Sequence, residues 1–146
     1  MADPQLAFEK KRTYLLFDGD CGLCHAAARL AERLDRTRGF SILPYQHFSN
    51  NELQQRGASA QQCARRVHVL TARGKIFTGA FAVNYFLWQY YPWKIFVALL
   101  YVLPPLLALE IIGYELIARN RRRLSQWLGF TACARPTPAS TIRMNT

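Results

Sequence analysis

The sequence is short of acidic residues, histidine and cysteine, and each shortage narrows what the chain can do. Nine Asp and Glu stand against 19 Lys and Arg, a formal net charge of +10 at pH 7. That sign favours acidic partners, nucleic acid or anionic membrane surfaces without choosing among them. The three histidines and four cysteines include no second C-x-x-C and no spaced histidine pair, so there is little material for a closed tetrahedral metal site. Four cysteines are also too few for a disulfide-stapled secreted scaffold, and 146 residues bury enough surface to fold as one domain without staples. The first dozen residues, MADPQLAFEKKR, hold no apolar signal core. The expectation is therefore a cytoplasmic chain, in a compartment that keeps thiols reduced. There, two closely spaced cysteines are catalytic or metal-binding rather than a structural bridge.

A long membrane span is missing too. Residues 95–109 (IFVALLYVLPPLLAL) are uncharged between Lys94 and Glu110. They fall short of the roughly 20 apolar residues a bilayer requires, and Pro104-Pro105 interrupts them. Such a run reads as a buried core segment. Peripheral membrane contact is the alternative, with Tyr90, Tyr91 and Trp93 as interfacial anchors.

What is present is an ordered series of short elements. Residues 13–17 (TYLLF) read as a buried strand, broken by Asp18-Gly19-Asp20. From Cys21 to about Arg36 the apolar residues Leu23, Ala26, Ala27, Leu30 and Leu34 recur at helical spacing, with Gly39 beyond the end. Residues 40–43 (FSIL) form a second strand closed by Pro44, and residues 50–56 a short helix ending near Gly57. Residues 66–71 (RVHVLT) and 75–78 (KIFT) read as a hairpin around Ala72-Arg73-Gly74, and residues 80–91 as a helix stopped before Pro92. The order β-α-β-α-β-β-α is that of an α/β, thioredoxin-like core. Residues 93–130 follow as a helical C-terminal extension, expected to cover the sheet or to shape a substrate groove. Residues 134–146, rich in Thr, Pro and Ser, read as a loose tail.

The chemistry concentrates at Cys21-Gly22-Leu23-Cys24, where a strand ends and a helix begins. Unpaired backbone N–H groups and the helix dipole favour negative charge at a helix start. Thiolate is the reactive form, so such a place lowers a thiol pKa from its free value of about 8.5. Cys21, at the entrance, is expected to be the more exposed sulfur and the attacking thiol. Cys24, one turn later, is placed to resolve a mixed disulfide. Carboxylates oppose a thiolate, so Asp18 and Asp20 work against the helix. Asp18 is the candidate to accept or relay the proton that Cys24 releases. His25 offsets the acidic pair when protonated and otherwise reads as a solvated first-turn residue.

Phe17-Asp18-Gly19-Asp20-Cys21-Gly22-Leu23-Cys24 resembles the F-D-G-x-C-x-x-C signature of the DCC-type thiol–disulfide oxidoreductases, a thioredoxin-like family. Further on, Tyr114-Glu115-Leu116-Ile117-Ala118-Arg119-Asn120-Arg121 resembles the family's Y-x-x-I-A-x-N-R segment, and Cys133-Ala134-Arg135-Pro136 its terminal C-x-x-P. The resemblance implies protein disulfide oxidoreduction, with Asp18, Cys21 and Cys24 as motif residues and Asp20 at a variable position. Ordinary thioredoxins carry a cis-proline just before the third strand. Here Ala64-Arg65-Arg66 stand at that place, which puts their mode of substrate docking in doubt. Cys63 lies near it, either facing the site or buried.

Other readings of the same residues remain. Cys21 to His25 also satisfies C-x-x-C-H, a haem attachment signature that needs an exported chain. Cys21 and Cys24 would supply half of a zinc site if Cys63, Cys133 or a histidine completed it. The basic run from Arg119 to Arg123 lacks any nucleic-acid reader's signature and reads as a solvated face, or as arginines paired with carboxylates such as Glu115. The expected partner is a protein or small-molecule thiol or disulfide. No cofactor and no metal are needed, since the sulfurs themselves carry the electrons.

Overall fold

The computed structural model describes residues 7–129. Cys133, the C-x-x-P segment, the expected tail and the last residue of the expected extension lie outside them. Strand β1 (Thr13–Phe17) is buried from Tyr14 to Phe17. A strand apolar on both faces belongs inside a sheet covered on both sides. It pairs in parallel with β2 (Phe40–Pro44), Leu15 opposite Ile42, and antiparallel with β3 (His68–Leu70), Leu15 opposite Val69. Strand β4 (Ile76–Thr78) closes the order β2-β1-β3-β4. The β3–β4 turn is held by Gly74 N–H on the Thr71 carbonyl at 2.9 Å, with Gly74 at φ +81°.

Side chains alternate along a strand, so the sheet builds two cores. Tyr14, Leu16 and Leu70 pack with Phe48, Leu53, Ala58 and Cys63 on one face. Leu53 comes from a short helix α2 (Asn50–Gln55) and Cys63 from a short helix α3 (Ala60–Cys63), with Phe48 and Ala58 in the turns before each. Helix α2 opens with a capping box, Ser49 Oγ accepting from Glu52 N and Glu52 Oε2 from Ser49 N. Leu15, Phe40 and Val69 face the other way, against Ala82 and Phe86 of α4 (Ala80–Trp88) and Ala31 and Leu34 of α1 (Gly22–Leu34). Fully burying a side chain such as Leu16 or Val69 is worth about 1.5–3 kcal/mol.

The architecture is thioredoxin-like with a helical C-terminal extension, and it departs from the expected string in three ways. Helix α3 is an added element, four residues long and too short to leave a periodic pattern. Helix α4 ends at Trp88, three residues before the expected stop. Within α1, Ala28 is buried while Ala27 and Leu30 are not, Leu30 being 58% exposed. The expected stripe is split because α1 turns part of its apolar face toward an open groove instead of the sheet.

The extension consists of α5 (Trp93–Val102) and α6 (Pro104–Trp127), bent by 110° at the break between them. Helix α5 packs on α4, and α6 lies on α1, α4 and α5. The extension therefore covers the helical layer, and residues 95–109 are not the buried core segment expected: in α5 only Val97 and Leu100 are buried. Among the described residues no single helix is long and apolar enough to cross a membrane.

Asp35, just past α1, ties the layers together. Its carboxylate accepts from Gly39 N and Phe40 N (both 2.9 Å), Thr37 Oγ1 (3.3 Å) and Tyr90 Oη (2.8 Å). Burial alone pushes its pKa up, but the donors Phe40 N–H, Tyr90 O–H, Gly39 N–H and Thr37 O–H outweigh it, and the net shift is downward. A carboxylate depressed on folding stabilises fully above its unfolded pKa of about 3.9 and loses that stabilisation as pH falls through the folded value. Asp35→Asn should cost about 1–3 kcal/mol in urea unfolding at pH 7. The deficit should shrink below about pH 4; a deficit independent of pH would contradict the assignment.

Candidate active site

The Asp18-Gly19-Asp20 turn carries the chain from the C-terminal end of β1 to the start of α1, and several bonds shape it. Cys21 N donates to the Asp18 carbonyl at 3.3 Å, and Asp20 N to Asp18 Oδ1 at 3.1 Å. Gln46, in the turn after β2, spans the loop. Its Oε1 accepts from Gly19 N (3.1 Å) and its Nε2 donates to Asp18 Oδ1 (3.0 Å). A Cβ on Gly19 would come within 3.0 Å of both Gln46 Oε1 and Pro44 Cβ, so glycine is what permits this close approach.

Cys21 is the N-cap of α1, with φ −108° and ψ 115°, and its Sγ accepts from Cys24 N at 3.3 Å. The sulfur thus takes the position a Ser or Asp oxygen occupies in an ordinary cap. The two sulfurs are electrostatically unequal. The Cys24 thiol hydrogen-bonded to it lowers the Cys21 pKa most. The Cys24 N–H and the Arg121 charge also lower it, burial and Asp18 raise it, and the result is about 6. Cys24 goes up, through that same bond to Cys21, then burial, then the negative charge of Cys21.

The order of exposure is the reverse of the expected one. Cys21 is buried, at 5% exposure, and Cys24 is half-buried in the wall of the groove. The loop folds over Cys21 because its backbone and Sγ both serve the turn. His25 is not a solvated first-turn residue either. Its Nε2–H donates to the Gly19 carbonyl at 2.8 Å, and its ring meets Phe17 edge-on. Cys63 lies in the opposite core, fully buried, with its thiol pushed up to about 11 by burial. The three described cysteines are free thiols, and among the described residues no three His, Cys, Asp or Glu stand together as a metal site.

The distant motif meets the dithiol here. Tyr114, Ile117, Ala118 and Arg121 are spaced as one face of α6, and that face lines a groove of about 430 Å³ together with Cys24, Leu23, Phe86 and Val67. Tyr114 Oη accepts from Val67 N at 3.0 Å, and its ring passes close to Gly79, where φ is +60° and a Cβ would lie 3.2 Å away. Arg121 Nη2 pairs with Asp18 Oδ2 at 2.8 Å and also donates to the Ala64 carbonyl. It is an inward-facing residue, its side chain 15% exposed, rather than part of a solvated basic face. Glu115 does pair with arginines: Arg66 at 2.8 Å and Arg119 at 4.0 Å.

Asp18 is thus held by Arg121, Gln46 and its own turn, and acts on both sulfurs through its charge. Arg121 and Gln46 are the functional residues that reading the dithiol motif alone misses. The i, i+3, i+4, i+7 spacing of Tyr114, Ile117, Ala118 and Arg121 is the signal by which Arg121 could have been found.

The family profile described as DCC1-like thiol-disulfide oxidoreductase matches residues 15–127. Neither the curated proteins nor the solved structures hold a significant match. The match runs from within β1 through the dithiol turn to the end of α6, and the chain belongs to the DCC1-like thiol-disulfide oxidoreductase family.

The charges around the dithiol make a paired prediction. Alkylation of Cys21 by iodoacetamide should be half-maximal near pH 6. Arg121→Met should move that midpoint up, because a lowering charge is gone, and Asp18→Asn should move it down. Rate profiles that both shift the same way would contradict this electrostatic picture.

Proposed function

We propose that this member of the DCC1-like family is an enzyme that exchanges a dithiol for a disulfide through Cys21 and Cys24, on a protein or small-molecule disulfide. The observation that carries the reading is the Cys24 N–H and S–H on Cys21 Sγ at the start of α1, with the Cys21 pKa near 6. At neutral pH that sulfur is a thiolate, the nucleophile such exchange requires.

In the reductive direction, Cys21 thiolate attacks one sulfur of the substrate disulfide. A new S–S bond forms, the substrate's S–S bond breaks, and the departing sulfur takes a proton from water. Cys24 keeps its own proton until then, chiefly because it donates to the Cys21 thiolate. Once Cys21 is a neutral mixed disulfide, both that bond and the negative charge that held the Cys24 proton are gone. Cys24 then gives its proton to water or to the nearby Asp18 carboxylate and, as thiolate, attacks the Cys21 sulfur. The mixed disulfide breaks, the second substrate thiolate leaves, and the Cys21–Cys24 disulfide remains. The substrate gains two electrons and the enzyme loses them. Run backwards, the same steps oxidise a dithiol.

Arg121 and Asp18 act on this chemistry by charge and position. Arg121 stabilises negative sulfur, and Asp18 fixes Arg121 while limiting how far Cys21 is acidified. The apolar groove beside Cys24 is where the substrate's flanking groups rest. No bound cofactor is required, since the sulfurs carry the electrons.

Cys24→Ser should accumulate mixed disulfides on Cys21 that dithiothreitol releases, and Cys21→Ser should accumulate none. Non-reducing electrophoresis and peptide mapping read the result. Equal capture by both variants would contradict the division of roles.

A further inference from the structure

We propose that the bend between α5 and α6 is a membrane-docking device that inserts its apolar corner into one leaflet of an anionic bilayer. The corner faces outward. Leu99, Val102, Leu103, Leu106 and Leu109 are exposed, Val102 by 73% and Leu109 by 65%, while the inner face of α5 is filled by Val97 and Leu100 against its neighbours. Soluble surfaces rarely leave contiguous apolar patches of this kind uncovered.

The backbone at the corner has its N–H groups accounted for, while Pro104 and Pro105 leave the Leu100 and Tyr101 carbonyls without their usual helical donors. The first turn of a helix ordinarily leaves four N–H groups without partners, a heavy cost in hydrocarbon. Here the first two positions of α6 are Pro104 and Pro105, which have no N–H. The next two N–H groups, of Leu106 and Leu107, both donate to the Leu103 carbonyl, at 3.0 and 3.3 Å. Leu103 N–H in turn reaches the Leu99 carbonyl at 3.0 Å. No donor of that turn is left over.

Length and charge then select the occupant. Ten residues of α5 rise about 15 Å, close to half of a hydrocarbon core of about 30 Å. With a bend of 110°, the pair fits a dip into one leaflet rather than a crossing. The exposed charges of α5 and α6 are basic and lie away from the corner, whereas both carboxylates of α6 are half-buried. Glu110 accepts from Asn84 Nδ2 at 2.9 Å, and Glu115 is paired with Arg66 and Arg119. Lys94, Arg122 and Arg123 are exposed. Trp93 and Tyr91 stand at the end of α5 where Lys94 lies, as interfacial aromatics do. A second copy of a chain with net charge +10 would repel this surface, whereas anionic lipid headgroups attract it. Trp93 and Ile117 belong both to this exposed surface and to the wall of the groove beside Cys24, so docking would bring the groove to the lipid boundary.

The test is flotation of the full chain with vesicles of phosphatidylcholine alone and of phosphatidylcholine with phosphatidylserine. Binding should be strong only to the second and weaken in about 1 M salt, where the Debye length is about 3 Å. Leu103→Asp with Leu106→Asp, at exposed positions, should cut vesicle binding by about tenfold or more while circular dichroism stays unchanged. Arg122→Glu with Arg123→Glu should remove the preference for phosphatidylserine. Failure to float with either vesicle, or flotation indifferent to the leucine substitutions, would overturn the proposal. So would a lipid-independent dimer that the same substitutions dissolve.

Discussion

The site depends on a sulfur standing where a helix cap oxygen ordinarily stands. Cys21 Sγ takes the Cys24 N–H at the first turn of α1, and that one bond links fold to chemistry. It requires β1 to deliver the chain to the helix start, the Asp18-Gly19-Asp20 turn to reverse it, and α1 to be seated on the sheet by Ala31 and Leu34. A helix start without the sheet behind it would fray, and the sulfur would have no fixed donor.

The extension completes the site from the far end of the chain. Arg121 joins three segments: α6, the dithiol turn through Asp18, and the approach to β3 through the Ala64 carbonyl. Tyr114 adds a further tie at Val67 N. In the segment before β3, where ordinary thioredoxins carry their proline, α6 therefore holds the Ala64 carbonyl and the Val67 N–H. The groove that reaches Cys24 is walled by α6 itself. An ion pair as covered as Arg121–Asp18 is costly to break from one side, since the remaining charge would be left buried. This ties the charge balance around the sulfurs to the placement of a helix.

Much of the fold was legible in the sequence because its signals are local. TYLLF between polar neighbours is a buried strand, Gly74 at φ +81° is a hairpin turn, and the Cys spacing puts two sulfurs on one turn. Asp18, Cys21 and Cys24 fall together for the same reason. What was not legible depends on distant chain. Gln46 reaches Asp18 from 28 residues on, and Arg121 reaches Ala64 across 57. The exposure of Cys21 was misjudged because a helix entrance is open only if its loop leaves it so, and this loop, braced by Gln46, does not. Residues 95–109 have the composition of a core, but the cores on both sheet faces were already filled by α1 to α4, leaving the outer faces of α5 and α6 without a cover.

The central claim is that Cys21 and Cys24 form one two-electron couple. Its most direct measurement is equilibration of the full chain against graded ratios of reduced and oxidised glutathione, followed by acid quenching and peptide mass mapping. The account predicts that Cys21 and Cys24 leave the thiol pool together, joined to each other, while Cys63 in its apolar core stays reduced throughout. Glutathione adducts on Cys21 or Cys24 without a bond between them, or oxidation of Cys63 in step with either, would contradict it.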